Sequence, residues 1–320
     1  MPAPFDEKGF REFVEGEGKI WFREKAVRSS FASFDGKTLG YVRALRDDPA
    51  GVIVVSHGFT EYADKYLELI YDLWERNFSV FVIEHRGHGY SCRLIPENDR
   101  VDIDSFDTYV EDLKFFTDNV VDKTCPGLKK MLFCHSMGCT IGSLFLERYP
   151  GYYERVIFCS PFFRMLFSPR WEIIPRVLFA VSLVLGWNDR LLPGQAGFAD
   201  QKFDFEHSPC TSKERYRFDV GLRLSDEHFH TTAGTYTWAR AAVKALSECT
   251  RKSNAAKIDI PVLILRAGLD NIVDVKGIDT FLKGCSGARV VDFPDAKHEI
   301  FNSSEETVGA FFNEVFGFFG

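Results

Sequence analysis

The chain has 320 residues, of which 45% are hydrophobic and 27% charged, a balance typical of a soluble globular protein that excludes disorder and collagen-like repeats. Lys and Arg number 39 against 46 for Asp and Glu, a formal charge of −7 without blocks of like charge, so we expect no nucleic-acid partner. The length suits either two domains or one α/β core with an insertion, and the 32 phenylalanines predict an aromatic core.

The amino-terminal segment predicts the compartment. Charged side chains interrupt every apolar stretch of Met1–Glu12, so no signal-peptide core is expected and the chain is predicted to be cytoplasmic. The eight cysteines form neither a CxxC pair nor a zinc-type spacing, which predicts free thiols and no metal site. The longest apolar run, Val177–Trp187, is too short to span a bilayer. It can still lie on a membrane surface, so peripheral membrane contact through this segment stays open.

Secondary structure begins with a predicted β-hairpin and continues as an alternation of strands and helices. Asp35-Gly36 between two extended segments is typical of a hairpin turn. Apolar runs without polar alternation predict strands buried on both faces, and they lie at Val52–Ser56, Ser79–Ile83, Lys130–Cys134, Val156–Cys159, Val262–Leu265 and Ala288–Phe293. Helical patterns accompany them at Lys65–Arg76, Phe106–Val121, Met137–Tyr149 and Glu305–Phe318.

This order predicts the fold class and its domains. Strands alternating with helices form a mostly parallel, twisted sheet with helices on both faces. The alternation breaks between residues 161 and 257, which hold aromatic clusters, glycine- and proline-containing loops and two further helical stretches. We therefore expect a core made of residues 1–160 and 258–320, and a helical cap inserted as residues 161–257.

The most informative segment for chemistry surrounds Ser136. It follows a predicted strand and opens a predicted helix, the context in which a strained turn lifts a nucleophilic serine above the edge of the sheet. Gly138 meets the demand for a small residue two positions later, whereas Cys134 stands where such turns usually have glycine. The alternative is a serine that only caps a helix.

A second segment, Ser56-His57-Gly58-Phe59, ends the strand after the hairpin. Gly58 allows a tight turn, and a backbone N–H there can face a developing oxyanion. We predict an oxyanion hole made of the N–H groups of Phe59 and Met137, although His-Gly alone would be read as an ordinary strand-to-loop turn.

An acid and a base follow in later loops. Asp270 comes just past a buried strand, and Gly268 permits the turn that aims it across the sheet edge; Asp274, Asp292 and Asp295 are the competitors. His298 lies between the last strand and the last helix. The chain order Ser136, Asp270, His298 is that of the α/β-hydrolase triad. The other seven histidines are expected to be structural or substrate-facing.

From Gly51 onward the chain resembles the lysophospholipase L2 and monoacylglycerol lipase group of α/β-hydrolases, which is grouped with the serine aminopeptidase-like hydrolases. The segments that carry the resemblance are Glu61–Leu73, Glu84–Arg93, His135–Gly138, Leu144–Gly151 and Lys297–Ile300, and Arg215–Arg217 with Gly234–Trp238 favours the lysophospholipase L2 side. The resemblance implies a nucleophile at Ser136, an acid at Asp270, a base at His298, a cap over residues 161–257, and no cofactor.

The predicted function is hydrolysis of the ester of a single-chain lipid, a lysophospholipid or a monoacylglycerol, through an acyl-serine. Phe162, Phe163 and Trp171 in the insertion are candidates for contact with the acyl chain, though the same residues could simply pack the cap on the sheet. Two alternatives remain: a peptidase of the serine aminopeptidase type, and a non-catalytic binding protein with this fold. Head group, acyl preference and oligomeric state are beyond the sequence.

Overall fold

The structure is a computed structural model that describes residues 6–166, 182 and 184–320. Its strands over these residues are β1 (Ala26–Ala32), β2 (Thr38–Ala44), β3 (Gly51–Ser56), β4 (Phe78–Ile83), β5 (Arg100–Val101), β6 (Lys130–His135), β7 (Arg155–Cys159), β8 (Ala233–Gly234), β9 (Val262–Ala267) and β10 (Arg289–Phe293). Its α-helices there are α1 (Glu7–Glu15), α2 (Glu17–Lys25), α3 (Leu67–Glu75), α4 (Phe106–Phe116), α5 (Asp122–Thr124), α6 (Met137–Arg148), α7 (Lys213–Ser225), α8 (Tyr236–Cys249), α9 (Lys252–Ala255), α10 (Lys276–Leu282) and α11 (Glu305–Phe319).

Eight of these strands form one sheet in the order β1-β2-β4-β3-β6-β7-β9-β10. Strand β2 is antiparallel to both of its neighbours, and the remaining pairs are parallel. The predicted hairpin is confirmed, since Gly36 occupies the left-handed region with φ 80° between β1 and β2. The predicted mostly parallel α/β sheet is confirmed as well.

The connections place a crevice at one edge of the sheet. The chain leaves β3 towards β4 on one side, and later enters β6 on the other side of β3. Such a reversal of winding opens a crevice at the carboxyl ends of the two central strands, where ligands bind in open α/β sheets. Here those ends carry Ser56-His57-Gly58 and His135-Ser136, so the topology brings two distant sequence segments together.

Apolar side chains fill both faces of the sheet, as the unbroken hydrophobic runs predicted. Along β3, Val52 and Val54 point into one hydrophobic layer while Ile53 and Val55 point into the other. Because both layers are closed, polar side chains at the strand ends are the positions left for chemistry.

The segment predicted as a cap lies between β7 and β9, and its described part is tied to the core at several points. Strand β8 pairs with β5 in a small second sheet. Helix α8 packs against α6, and α7 packs against α1 at the start of the chain. Helices α1 and α2 were not predicted. Over the part of the chain that the structure describes, we find no helix with the length and apolarity needed to cross a membrane.

Candidate active site

Ser136 lies at the sharp turn between β6 and α6. Its backbone has φ 50° and ψ −115°, a region that side chains other than glycine rarely adopt. The turn holds because the amide of Ser136 donates to the carbonyl of Cys159 and the carbonyl of Ser136 accepts from the amide of Phe162. Strain of this kind persists only where its surroundings enforce it, and it typically marks a functional position.

The side chains of Ser136, His298 and Asp270 form one chain of hydrogen bonds. His298 Nε2 lies 2.8 Å from Ser136 Oγ, and His298 Nδ1 lies 2.8 Å from Asp270 Oδ2. All three are nearly removed from solvent, with the Asp270 side chain 1% exposed. The structure thus brings Ser136 together with Asp270 and His298, which lie more than a hundred positions later in the sequence.

The Asp270 carboxylate is held in its ionised form. Burial raises its pKa, but the hydrogen bond and the positive potential from His298, together with the amides of Ile272 and Val273, outweigh burial and leave the pKa below its ordinary value. Those two amides donate to Oδ1 at 2.9 Å, so Oδ2 is directed to the imidazole. A carboxylate placed in this way fixes the tautomer with the proton on Nδ1, which leaves Nε2 free to accept the serine proton.

The small residues around the serine explain how the turn is accommodated. A Cβ at Gly138 would overlap the backbone carbonyl of Ser56 at the end of β3, so only glycine fits there. The unusual Cys134 is accommodated differently: a Cβ at Gly142, one turn further along α6, would lie 2.5 Å from the Cys134 sulfur. Glycine at position 142 therefore makes the room that glycine at position 134 usually provides.

We expect Gly142→Ala to destabilise the protein by about 1–3 kcal/mol, because the new methyl group overlaps the sulfur of Cys134. The same substitution in a Cys134→Ala background should cost much less, since the sulfur is gone. Urea unfolding of the two single variants and the double variant measures this coupling, with Gly317→Ala as a control at a helical glycine that faces open space. Equal losses in both backgrounds would contradict the explanation.

The amides of Phe59 and Met137 are available at the same crevice. Within the described ranges neither nitrogen donates a hydrogen bond to another protein group. The amide of Met137 is also the first of helix α6, where the helix dipole favours negative charge. Two amides without a protein acceptor are a donor set of the kind that can stabilise a tetrahedral oxyanion.

The loop that carries Phe59 is fixed from several directions. His57 Nδ1 donates to the carbonyl of Gly58 at 2.7 Å, and the Glu61 carboxylate accepts from the amide of Gly58 at 2.6 Å. Thr60 has φ 62°, and its carbonyl accepts from the Arg223 guanidinium at 2.8 Å. A donor held in this way needs little reorganisation when charge develops.

A cavity of about 390 Å³ opens onto Ser136 and His298. Its wall is formed by residues from the loop after β3, from the cap and from the loops after β9 and β10. Its lining combines polar and charged side chains with apolar surface from Phe59, Phe203, Pro209, Tyr216, Val220 and Ile272. The cavity is therefore able to hold both a polar group and an apolar one next to the serine.

A charge network of nearly buried side chains in the wall of this cavity was not predicted from the sequence. Lys65 Nζ lies 3.1 Å from Glu61 and 2.5 Å from Glu299, and all three side chains are less than a tenth exposed. Asp219 on α7 accepts from Arg223 and from the Tyr62 hydroxyl. Asp219 and Arg223 are four residues apart, a spacing that in sequence predicts a solvated helix face, so nothing local distinguishes this pair as buried.

His135 joins the network to the catalytic histidine candidate. Its Nδ1 donates to Glu61 at 2.9 Å, and its ring packs 5.0 Å from that of His298. The other upstream histidines, His57, His85 and His88, are fully buried together, and burial lowers the pKa of each. These three remain neutral and hold the loops in place, while His135 also lines the cavity.

The residues expected to contact the acyl chain lie elsewhere. Phe162 is buried with its ring stacked 6.4 Å from Trp238, and Phe163 packs between Phe158 and Phe281 in the core. Neither lines the described cavity. Trp171 falls outside the described residues. In the ranges that the structure covers, no group of His, Cys, Asp or Glu side chains is arranged to hold a metal ion.

Comparisons with known proteins show which family the chain resembles. The family described as serine aminopeptidase, S33, matches residues 47–305. Lysophospholipase L2 of Escherichia coli (strain K12) is 27% identical over 307 residues, covering 92% of this chain and 87% of that protein. Monoacylglycerol lipase of Mycolicibacterium smegmatis is 26% identical over 280 residues, covering 87% and 91%.

Among solved structures, a soluble variant of monoglyceride lipase from Saccharomyces cerevisiae, in complex with a substrate analogue, superimposes with a TM-score of 0.68 at 20% identity, covering 90% of this chain and 92% of that one. This likeness confirms the predicted α/β-hydrolase fold. The sequence matches confirm the predicted resemblance to the lysophospholipase and monoacylglycerol lipase group.

Proposed function

The chain belongs to the serine aminopeptidase, S33, family of hydrolases, and on that premise we propose that it cleaves the carboxylic ester of a single-chain lipid through an acyl-serine intermediate. The observation that carries the proposal is the pair of 2.8 Å contacts that link Ser136 Oγ through His298 to Asp270 at a strained turn. A buried hydroxyl needs such a base and orienting acid to react near neutral pH.

The proposed reaction has two steps. His298 Nε2 accepts the proton of Ser136 Oγ as the oxygen attacks the ester carbonyl, and the amides of Phe59 and Met137 bind the resulting oxyanion. His298 then donates that proton to the departing alcohol, which leaves an acyl-serine. A water molecule, deprotonated by His298, attacks the acyl carbon, and collapse of the second intermediate releases the carboxylic acid and restores Ser136.

The substrate class is supported by the cavity and by the relatives. The charged side chains that line the cavity suit a glycerol or phosphoglycerol head group, and its apolar side chains suit the start of an acyl chain. The relatives bear the names lysophospholipase L2 and monoacylglycerol lipase, both of which act on single-chain lipid esters. We therefore propose a lysophospholipid or a monoacylglycerol as the substrate.

The charge pairing in the cavity disfavours the peptidase alternative. An aminopeptidase needs an uncompensated carboxylate to hold the free amine of its substrate. Each of the four carboxylates that line the described cavity is already in contact with a basic side chain: Glu61 and Glu299 share Lys65, and Glu61 also contacts His135, while Asp219 has Arg223 and Asp204 has His207. Binding of an ester that carries no positive charge does not require an uncompensated carboxylate.

A substrate panel tests the proposal. We expect turnover of monooleoylglycerol or of oleoyl-lysophosphatidylcholine, and no turnover of aminoacyl-β-naphthylamides by the same preparation. Release of fatty acid measured by titration, with Ser136→Ala as the blank, reports the reaction. Turnover of the naphthylamides without release of fatty acid from either lipid would overturn the ester proposal in favour of a peptidase.

Acyl-chain length provides a second, graded test. If the chain is buried on binding, each added methylene contributes about 0.8 kcal/mol, so kcat/KM for p-nitrophenyl esters should rise by up to about fourfold per methylene until the apolar surface is filled. The measurement compares acetate, butyrate, octanoate and palmitate esters. Equal kcat/KM across the series would contradict burial of the acyl chain.

A further inference from the structure

A second and larger recess lies outside the catalytic cavity, between α1, α2, α3 and α7; we call it the N-terminal groove. Its volume is about 970 Å³, which is at the upper end of the range for small-molecule sites. Apolar side chains line it, namely Val14, Ile20, Phe22, Leu67, Phe218 and Leu222. An apolar recess of this size favours a ligand with a long hydrocarbon part.

Helix α7 separates this groove from the catalytic cavity. Tyr216, Asp219, Val220 and Arg223 on one face line the cavity. Arg217, Phe218, Gly221 and Leu222 on another face line the groove. Their spacings of three and four residues place each set on one side of the helix. The two recesses are therefore distinct sites that share one wall.

Gly221 keeps the groove open. It lies within α7, and a Cβ built there would meet no atom within 4 Å. Glycine inside a helix makes the helix less stable than most other residues would. Because a Cβ would fit at position 221, close packing does not explain the glycine. Its effect is to leave the backbone of α7 accessible along the groove, where an elongated ligand can approach closely.

The charged side chains at the groove favour a ligand with an anionic head group. The lining includes four cations, Arg11, Lys19, Arg23 and Arg217, against three carboxylates, Glu15, Asp64 and Glu214. Asp64 pairs with Arg28, and Glu214 lies 2.6 Å from Arg217 and 3.8 Å from Arg11.

Two of the four cations have no carboxylate partner, and one lining carboxylate, Glu15, also makes no salt bridge over the described ranges. Over the described ranges Lys19 and Arg23 make no salt bridge, and they lie one turn apart on α2, a like-charge spacing that disfavours the helix. This local excess of positive charge occurs on a chain with a formal charge of −7.

We propose that the N-terminal groove binds a long-chain carboxylate, a fatty-acid anion. Its hydrocarbon chain lies on the apolar floor along Gly221 and Phe218, and its carboxylate lies between Lys19 and Arg23. A fatty-acid anion combines the two properties that the groove selects, one apolar chain and one compact negative group. The proposal concerns binding alone and does not depend on the chemistry at Ser136.

The test measures oleate binding to the full chain after the catalytic serine has been blocked. Treatment with an alkyl fluorophosphonate and intact-mass analysis show whether Ser136 carries the adduct, so a failure of the proposed catalysis is seen separately. Oleate is then titrated by calorimetry into the blocked protein, and a diazirine-bearing fatty acid is photolysed on it. We expect saturable binding, with photolabel on peptides that cover residues 11–26.

Two pairs of variants locate the site. Gly221→Leu adds a side chain that enters the groove at a position where a Cβ meets no atom within 4 Å, and it should weaken oleate binding by about tenfold or more. Gly317→Leu, at a helical glycine in open space outside the groove, should leave binding unchanged. The double variant Lys19→Glu/Arg23→Glu should weaken binding by about tenfold. Lys25→Glu, at the end of the same helix and outside the lining, is its control.

The outcomes decide the proposal. Photolabel confined to residues 201–204, 207–209 or 272, which line the catalytic cavity, would overturn it. Equal binding by Gly221→Leu and Gly317→Leu would do the same. Neutral monooleoylglycerol serves as the head-group comparison: binding at least about tenfold weaker than that of oleate supports the anionic site, and equal binding by the two lipids refutes it.

Discussion

Ser136→Ala is expected to lower kcat for ester hydrolysis by about 10⁴-fold or more while leaving the fold intact. The substitution removes the only hydroxyl that the structure, over its described ranges, places within 2.8 Å of His298 Nε2. Without it no acyl-serine can form, and the remaining catalysis would come from the amides of Phe59 and Met137 acting on a direct attack by water. Turnover of p-nitrophenyl butyrate and labelling by a fluorophosphonate both measure the loss.

The matched control is Ser160→Ala. Ser160 is also buried and also has a positive φ, of 45°, at the end of the neighbouring strand β7, but it is not bonded to the imidazole. This variant should retain turnover within about threefold and should still be labelled. The Ser160 hydroxyl has no histidine base beside it, so it is not activated as a nucleophile. Near-normal turnover by Ser136→Ala, with an unchanged melting temperature, would show that Ser136 is not the nucleophile.

The second large effect is expected for Asp270→Asn, which should lower kcat by about 10⁴-fold with little change in stability. The amide oxygen of asparagine can still accept from the amides of Ile272 and Val273, which directs its NH₂ group to His298 Nδ1. His298 must then carry its proton on Nε2, so it can no longer accept the proton of Ser136. Single-turnover acylation by a p-nitrophenyl ester measures this step directly.

Asp274→Asn is the control for this substitution. Asp274 lies four residues later in the same loop, where it pairs with Arg164 at 3.0 Å and accepts from the amide of Lys276. It makes no contact with His298 in the described structure, so acylation should be unchanged within about twofold, as for a partly exposed ion pair. Comparable losses in the two variants would show that the loop as a whole, and not the orientation of the imidazole, sets the rate.

Residue pattern alone predicted most of the sheet. The unbroken apolar runs at Val52–Ser56 and Ser79–Ile83 correspond to β3 and β4 within one residue at either end. A strand buried on both faces needs apolar side chains at every position, so its signal is local. Helices α1 and α2 were not predicted because most of their side chains are exposed and only a few apolar ones are buried. Among these, Phe10 and Phe13 pack against α3 and α7.

Some residues of the candidate site could likewise be predicted from the sequence, and others could not. Ser136, Asp270 and His298 could be selected from the sequence because each follows a predicted strand, and strand ends meet at one edge of a parallel sheet. The cavity wall could not be selected. Asp219 and Arg223 look like a surface pair, and only their position opposite Lys65, Glu61 and Glu299 makes them part of a buried network. Phe163, an acyl-chain candidate by its apolarity, packs instead against Phe281.

The sequence by itself determined the alternation of buried strands and helices, the turn at Ser136 and the order of the three candidate catalytic residues, because these depend on neighbours a few positions apart. The tertiary structure alone decided that His298 reaches both Ser136 and Asp270, that Gly142 makes room for Cys134, and that α7 separates two recesses. Those relations join segments that are far apart in the chain, and chain proximity carries no information about which distant surfaces pack together.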